Sequence, residues 1–549
     1  MNAAAFRSKA ARPRVCMRAC ARALVCAGLA AALPGARAGV TDNLATSPTA
    51  MAMGNAVTAD PPGIESIHFN PAGLARLSGL QHIDSVFGAS IRNPNHFETA
   101  SDIDIGGFKD DPINGKSSGP VRQAVALPFI GIPKARLPGV MVPGMGVSYN
   151  APDSRWTFGT MVYMSAAMSI DRTKDPDDPA RFDGRLVQLQ RLVYLSPTAA
   201  YRLSDTLKFG ISVPIAYANF GINTDFRAPN KLLGTVGQLQ KAVCPDGNGT
   251  VVDTLTFGFC GGGPQGMIDP FKRAANIGFD LHNSFDPTVN LGVLWEPKPW
   301  FSFGAVYQGG AKTTYTGQYM IHTDPMLRQF VRGLNSSLLG PIVGAITAMP
   351  TDIPEYQSGN MTATIPFPWR FQTGVKLMLT DYVQVNADVS YANWKSWNQL
   401  TFKFDQSIKL LEMARLFGYA NSQEATFKMG FRNVVNYSVG TQLNVTRKLA
   451  LRMGYEPRKS SIPANQMSLL APLPDTKLKS LGLRYRFDNG GEVNLTGSYL
   501  KGSYDIPARS NCNLNCDGFF NLIYNPYAAT SVSGSLIVRY FGASYMQPF

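Results

Sequence analysis

Apolar and polar residues alternate along much of this chain with a period of two. From 382 to 391 the odd positions carry Val383, Val385, Ala387, Val389 and Tyr391, and the even ones Gln384, Asn386, Asp388 and Ser390. Successive side chains of a strand point to opposite faces, so the segment predicts a strand with one oily and one wet face. Just upstream, Trp369, Phe371, Val375, Leu377 and Leu379 alternate with Arg370, Gln372, Gly374 and Lys376, and only Thr380 and Asp381 lie between the two segments. That spacing predicts an antiparallel hairpin with a tight turn. The arrangement returns in 193–215, 289–307, 435–455 and 481–499.

A soluble β-sandwich also alternates. What sets this chain apart is the asymmetry of its connections: hairpins close in roughly two to five residues, while the links between hairpins run from about 15 to about 65, the habit of bacterial transmembrane barrels. Strands are expected near 80–92, 138–150, 155–170, 187–203, 206–220, 286–296, 300–317, 358–379, 382–403, 431–446, 449–457, 477–487, 492–501 and 534–549. Their number, fourteen, is even, as a closed barrel with both termini in the periplasm requires. Trp295, Trp300, Trp369, Tyr382, Tyr391, Trp394, Trp397 and Phe487 near strand ends are the expected aromatic girdles. Beyond the N-terminal leader there is no run of 18 apolar residues, which excludes a helical span. A closed barrel is the other fold that satisfies every backbone polar group in lipid. The expected fold is therefore all-β: a 14-stranded antiparallel transmembrane β-barrel in the bacterial outer membrane.

Residues 1–38 read as an export signal, with Arg7, Lys9, Arg12, Arg14, Arg18 and Arg22 ahead of the apolar run 23–33 and the small-x-small site Ala36-Arg37-Ala38. Its seven Lys and Arg account for half of the net charge of +14, leaving +7 for the exported chain. The remaining basic residues are dispersed, so nucleic acid is not an expected partner. Three of the seven cysteines leave with the leader, and the others form two local pairs, Cys244 with Cys260 and Cys512 with Cys516. In an oxidising periplasm the even count favours two disulfides, free thiols being the alternative. The five histidines are scattered and no nucleophile elbow, metalloprotease or phosphate-loop motif occurs. No catalytic residue, metal site or cofactor is expected; a barrel hydrolase would need a Ser and a His that meet only in space.

Between leader and first strand, residues 39–79 alternate little but contain His68-Phe69-Asn70-Pro71-Ala72-Gly73-Leu74. Asn-Pro-Ala alone is a turn or helix-start signal. Placed just ahead of fourteen strands, it resembles the FadL family of outer-membrane transporters for long-chain fatty acids and aromatic hydrocarbons (the OMPP1/FadL/TodX type). Tyr391-Ala392-Asn393-Trp394-Lys395-Ser396-Trp397, Arg452-Met453-Gly454-Tyr455, Ile462-Pro463 and Leu473-Pro474-Asp475 are similar to the family's pattern, over essentially the whole exported chain. The resemblance implies that 39–79 is a plug, or hatch, of short helices inside the barrel formed by 80–549. It implies that Asn70, Pro71 and Ala72 are the motif on which the hatch depends, and that solute leaves through a gap in the wall near the third strand. Phe549, a terminal aromatic on the last strand, resembles the signal read by the barrel-assembly machinery.

Long outer loops are expected at 221–285, 318–357, 404–430 and 502–532. Two of them carry apolar helical stripes: Leu232, Val236 and Leu239 in the first, and Leu327, Phe330, Val331, Leu334 and Leu338 in the second. An apolar stripe on a surface loop implies a ligand groove or a lid of loops packed on one another. The leading functional expectation is passive, hatch-gated uptake of a hydrophobic or amphipathic small molecule by a monomer surrounded by outer-membrane lipid. A general aqueous porin and a surface adhesin or receptor are the alternatives.

Overall fold

The computed structural model describes residues 46–127, 132–137, 139–244, 258–260, 264–336, 350–413, 421–518 and 525–549. The expected leader and the first hatch residues lie outside them. Fourteen antiparallel strands follow. Those in the first half are β1 (Gly79–Arg92, continuing as Asn95–Thr99), β2 (Val140–Asn150), β3 (Trp156–Asp171), β4 (Leu186–Leu195 and Thr198–Arg202), β5 (Leu207–Ser212 and Ile215–Phe226), β6 (Ala275–Pro287 and Asn290–Lys298) and β7 (Phe301–Gln308 and Ala311–Thr323). The second half comprises β8 (Tyr356–Phe367 and Arg370–Met378), β9 (Val383–Ala392 and Gln399–Phe404), β10 (Glu424–Lys428 and Val434–Asn444), β11 (Leu449–Arg458), β12 (Thr476–Arg486), β13 (Glu492–Ile506) and β14 (Thr530–Pro548). β1 pairs with both β2 and β14, so the sheet closes on itself.

Several strands reach further outward than alternation of apolar-out residues predicts. The expected loop 221–285 contains the start of β6 at Ala275, and β8, β10 and β14 begin at Tyr356, Glu424 and Thr530, inside the loops expected at 318–357, 404–430 and 502–532. The reason is an inversion of the side-chain code. In the lower wall, nearer the short turns, Gln384, Asn386, Asp388 and Ser390 of β9 face inward and are buried, while Phe209, Ile211, Leu291, Phe303, Tyr307 and Phe371 are exposed on the outside. In the upper wall Tyr315, Tyr319, Ile321, Met361, Ile365 and Phe402 face inward, and Lys312, Thr314, Gln318, Thr364 and Lys403 face outward. An outer face that is apolar below and polar above is what lipid followed by water demands.

In β4 to β9 the change coincides with breaks in neighbouring strands at Pro197, Pro214, Thr288, Gly309, Pro368 and Asn393. The breaks lie side by side, since Val213 N donates to Pro197 O, Thr288 N to Pro214 O, Gly309 N to Val289 O and Asn393 N to Trp369 O. Proline removes a ladder donor, which is why a belt of interruptions forms where it recurs in adjacent strands. At one of them, Trp394–Trp397 forms a 3-10 turn into the lumen. Trp394 and Trp397 are therefore 4% and 7% exposed and do not belong to the girdle expected for them, whereas Trp295, Trp300, Tyr382 and Phe487 are exposed on the outer face.

Above the strands the loops are locked together. Arg227 and Asp111, both fully buried, form a bidentate pair at 2.9 Å, with Arg227 also donating to Pro526 O and lying over the Phe182 ring. Disulfides join Cys244 to Cys260 and Cys512 to Cys516 in the same roof.

Candidate functional site

The described part of the hatch, 46–78, sits in the lower lumen. It consists of α1 (Pro48–Ala52), α2 (Ser66–Phe69) and a 3-10 turn (Pro71–Arg76). Ser47 caps α1 by accepting from Ala50 N. Asn70 does the same for the 3-10 turn, accepting from Ala72 N at 3.2 Å, with Pro71 in the first helical position where it needs no donor. Its amide also donates to Thr58 O at 2.9 Å and, across to the wall, to Val293 O at 3.0 Å. Asn70 is thus a fully buried bracket between two hatch segments and β6.

Wall glycines make this fit possible. A Cβ on Gly292 would lie 2.1 Å from Asn70 Oδ1, one on Gly210 2.2 Å from the Pro71 carbonyl carbon, and one on Gly304 2.1 Å from Thr58 O. On the opposite wall Gly440, Gly454 and Gly482 admit Met53, Gly54 and Ala52 equally closely. Any side chain at these positions would push the hatch off its seat.

Inward polar residues of the wall, among them Asp388 and Asn386 read from the alternation, bond to the hatch. Asp388 accepts from Thr58 N at 2.8 Å, Asn386 donates to Ala56 O at 2.8 Å, Gln308 to His68 O at 2.6 Å, and Asn55 reaches Glu456 at 2.9 Å. An ionic chain runs along the underside: Lys208 to Glu296 at 2.6 Å, Arg76 to Glu296 at 2.6 Å, Arg76 to Asp60 at 2.9 Å and Lys376 to Asp60 at 2.9 Å. Burial by itself would raise the Asp60 pKa, but Lys376 and Arg76 outweigh it and hold the carboxylate well below its usual range. Burial, with Arg370 and Arg191 adding repulsion, pushes His68 down to about 3, so its ring is neutral. Glu65 goes the other way: burial raises it to about 8 against the pull of the Ser47 hydroxyl and Arg452. A cavity of about 320 Å³ beside it is lined by Asp60, Arg76, Lys376, Arg452 and Glu492.

Over the hatch the lumen is aromatic. Phe279 lies 5.1 Å from Phe402 and 5.7 Å from Phe220, Trp397 is 6.3 Å from Phe220 and 5.8 Å from Phe431, and Trp394 is 5.8 Å from Phe431. These rings were not singled out as lumen residues from the sequence. The available signal was apolar alternation continuing past a proline or glycine break with polar partners that face outward.

The loop residues expected to line a groove are divided. Phe330 and Val331 of α4 (Pro325–Ser336) are buried, while Leu327 and Leu334 are half-buried. In α3 (Lys231–Val243) Leu232 and Val236 are half-buried and Leu239 is 51% exposed. The face that α3 turns to the protein is not this stripe but Gly234, Gly237 and Gln240, because a Cβ at 234 or 237 would come within 1.8 Å of Ile105 O or 2.2 Å of Ile268 O. Both helices flank one segment: Gln240 donates to Phe259 O, and Asp269 N to Met326 Sδ. Leu338 lies outside the described residues.

The ladder between β2 and β3 is short. β2 and β3 pair only from Met145 with Val162 to Tyr149 with Phe158, five residue pairs, against fifteen between β13 and β14. Beyond Val162, β3 keeps its ladder with β4 and β2 keeps its ladder with β1, so a seam opens between them. A hairpin of Gln123–Leu127 and Ile132–Leu137 lies beside it, bridged to Asp171 through Arg122.

A profile of outer membrane transport proteins (OMPP1/FadL/TodX) matches residues 27–514. A long-chain fatty acid transport protein of Escherichia coli is 22% identical over 311 residues, 56% of this chain and 59% of that protein, so the chain spans well under two thirds of the relative's length. A Pseudomonas aeruginosa FadL homologue of known structure superposes with a TM-score of 0.64 at 16% identity, covering 93% of this chain and 100% of that one. The Ralstonia pickettii toluene transporter TbuX does so with a TM-score of 0.53 at 15% identity, covering 92% and 98%. With a closed fourteen-stranded barrel and a match over most of its length, the chain belongs to the OMPP1/FadL/TodX family of outer-membrane transport proteins.

Proposed function

We propose that this protein carries a hydrophobic or amphipathic small molecule, a long-chain fatty acid or related hydrocarbon, passively across the outer membrane. The observation that carries the reading is the apolar upper lumen set directly above a hatch: Phe220, Phe279, Trp397 and Phe402 offer an oily solute a path that a water-filled pore does not. The half-buried stripes of α3 and α4 serve as the outer capture surface, and the β2–β3 seam serves as the exit past the seated hatch. The relatives' printed names, fatty acid transport and toluene transport, support that solute class. In this reading the chain is a monomeric transporter without catalytic role, cofactor or metal, and Phe549 at the end of β14 is its assembly signal.

The test is growth and uptake on a fatty acid, an alkane and a monoaromatic in a host lacking its own transporter. Uptake of at least one is expected, together with near-silence in a planar bilayer. Steady ion current with no solute preference would establish a porin instead. Asn70→Ala removes three hydrogen bonds of about 1 kcal/mol each, and is expected to lower uptake severalfold while heat-resistant barrel mobility on a gel is retained. Unchanged uptake would count against the bracket.

A further inference from the structure

On the outer face of β12, β13 and β14 the first polar side chains above the apolar band are basic, and on β1 the exposed Arg92 follows Ser90. Lys477 and Lys479 are exposed and alternate with buried Thr476, Leu478 and Ser480, while Lys501 alternates with buried Leu500 and Gly502. Arg539 and Arg92 are exposed in the same way on β14 and β1. Cross-strand register brings the five together in two adjoining rows, one running Lys479, Tyr499, Arg539 and the next Lys477, Lys501, Ile537, Arg92. Below them on the same face come Met453, Leu481, Leu495 and Phe541, all exposed as lipid-facing residues are.

Lys477 and Lys501 are direct cross-strand partners, and like charges so placed repel. None of the five forms an ion pair with a described carboxylate: the nearest acid, exposed Asp475 two residues before Lys477, is paired with Lys459 at 2.5 Å, and Asp505 and Glu98 stand four residues beyond Lys501 and six beyond Arg92. Across the barrel the upper outer face is mixed, with exposed Lys312 and Lys403 accompanied by exposed Asp280. The sheet thus holds an uncompensated cationic patch at the height where the outer leaflet's headgroups meet water, directly above an apolar wall that suits acyl chains.

We propose that this face binds a phosphate-bearing lipid of the outer leaflet, with its phosphates on Lys477, Lys479, Lys501, Arg539 and Arg92 and its acyl chains on the apolar wall beneath. The site is on the outside of the barrel and independent of the transported solute.

The test uses the full-length protein in lipid nanodiscs, with bisphosphorylated lipid A and its dephosphorylated form as probes. Phosphorylated lipid A is expected to bind at least tenfold more tightly, with the preference falling as salt rises. Each charge removed is expected to cost about fivefold, so Lys477→Gln with Lys501→Gln loses roughly 25-fold. Replacing both with Arg retains binding, and Lys312→Gln on the far face leaves it unchanged. Equal binding of the two lipids, or full binding by the double Gln variant, would overturn the proposal. So would complete displacement by millimolar inorganic phosphate, which would mark a simple anion patch with no need of the acyl chains.

Discussion

The lower and upper halves of the barrel wall are built from the same strands, yet they meet their contents by opposite means. Below the belt of strand breaks, glycines and short polar side chains bring backbone against backbone, and the hatch is held by named hydrogen bonds at Asp388, Asn386, Gln308 and Asn70. Above it, aromatic and branched side chains fill most of the lumen, with directed bonds confined to a few ring ends such as Trp397 Nε1 to Pro366 O and Tyr527 OH to Pro179 O. Hydrogen-bonded contacts with no spare volume fix one geometry, whereas apolar packing tolerates exchange of one oily group for another. The contrast suits a plug that stays seated beneath a passage that accepts varied hydrophobic solutes.

The comparison breaks most severely at the glycine seat. Gly292→Val sets a branched side chain where a Cβ alone comes within 2.1 Å of Asn70 Oδ1, so the hatch is expected to lose its place and a nearly silent barrel to show steady ionic conductance. Conductance indistinguishable from the parent, in protein that still runs as a folded barrel, would mean that the seat yields. In the upper half, Phe402→Ala removes a ring packed on Phe279 and Phe220 and costs about 3–5 kcal/mol of stability. Solute uptake should fall while conductance stays low, which separates the oily passage from the seal.

The smallest expected effect is a pH dependence of hatch seating through Glu65. Its pKa rises from 4.5 to about 8 on burial, so the seated hatch binds the proton more tightly than the released one. The Glu65 contribution to seating is greatest below about pH 4.5, weakens as the pH rises and levels off above about 8, while buried neutral His68 acts the other way below about 6.5, so that net seating falls between about pH 6.5 and 8. Protease protection of the hatch measured from pH 5 to 9 reads this directly, and Glu65→Gln is expected to flatten the profile.

Much of the lower wall was legible in the sequence because one side faces lipid. Alternation such as 382–391 reports that environment residue by residue, and the short turns and the Asn-Pro-Ala segment follow from local chemistry. The upper wall was harder to read. Its segments alternate too, but with the apolar side inward, so that parts of β6, β8, β10 and β14 look like loop. Trp394 and Trp397 fit a girdle by position and enter the lumen only because the strand turns there. In α3 the apolar stripe implied a ligand groove or a lid, and the side set against the protein is that of Gly234 and Gly237, since the backbone approach they allow requires seeing what lies opposite.

By itself, then, the chain determined fourteen strands, their order, the closing turns and a plug motif ahead of them, because periodicity and turn chemistry act between residues close in sequence. Tertiary structure decided which side of the upper strand segments faces inward, where the hatch seats, which charges pair and where the ladder parts between β2 and β3. Those depend on curvature, register and contacts between residues hundreds of positions apart, and no local pattern records them.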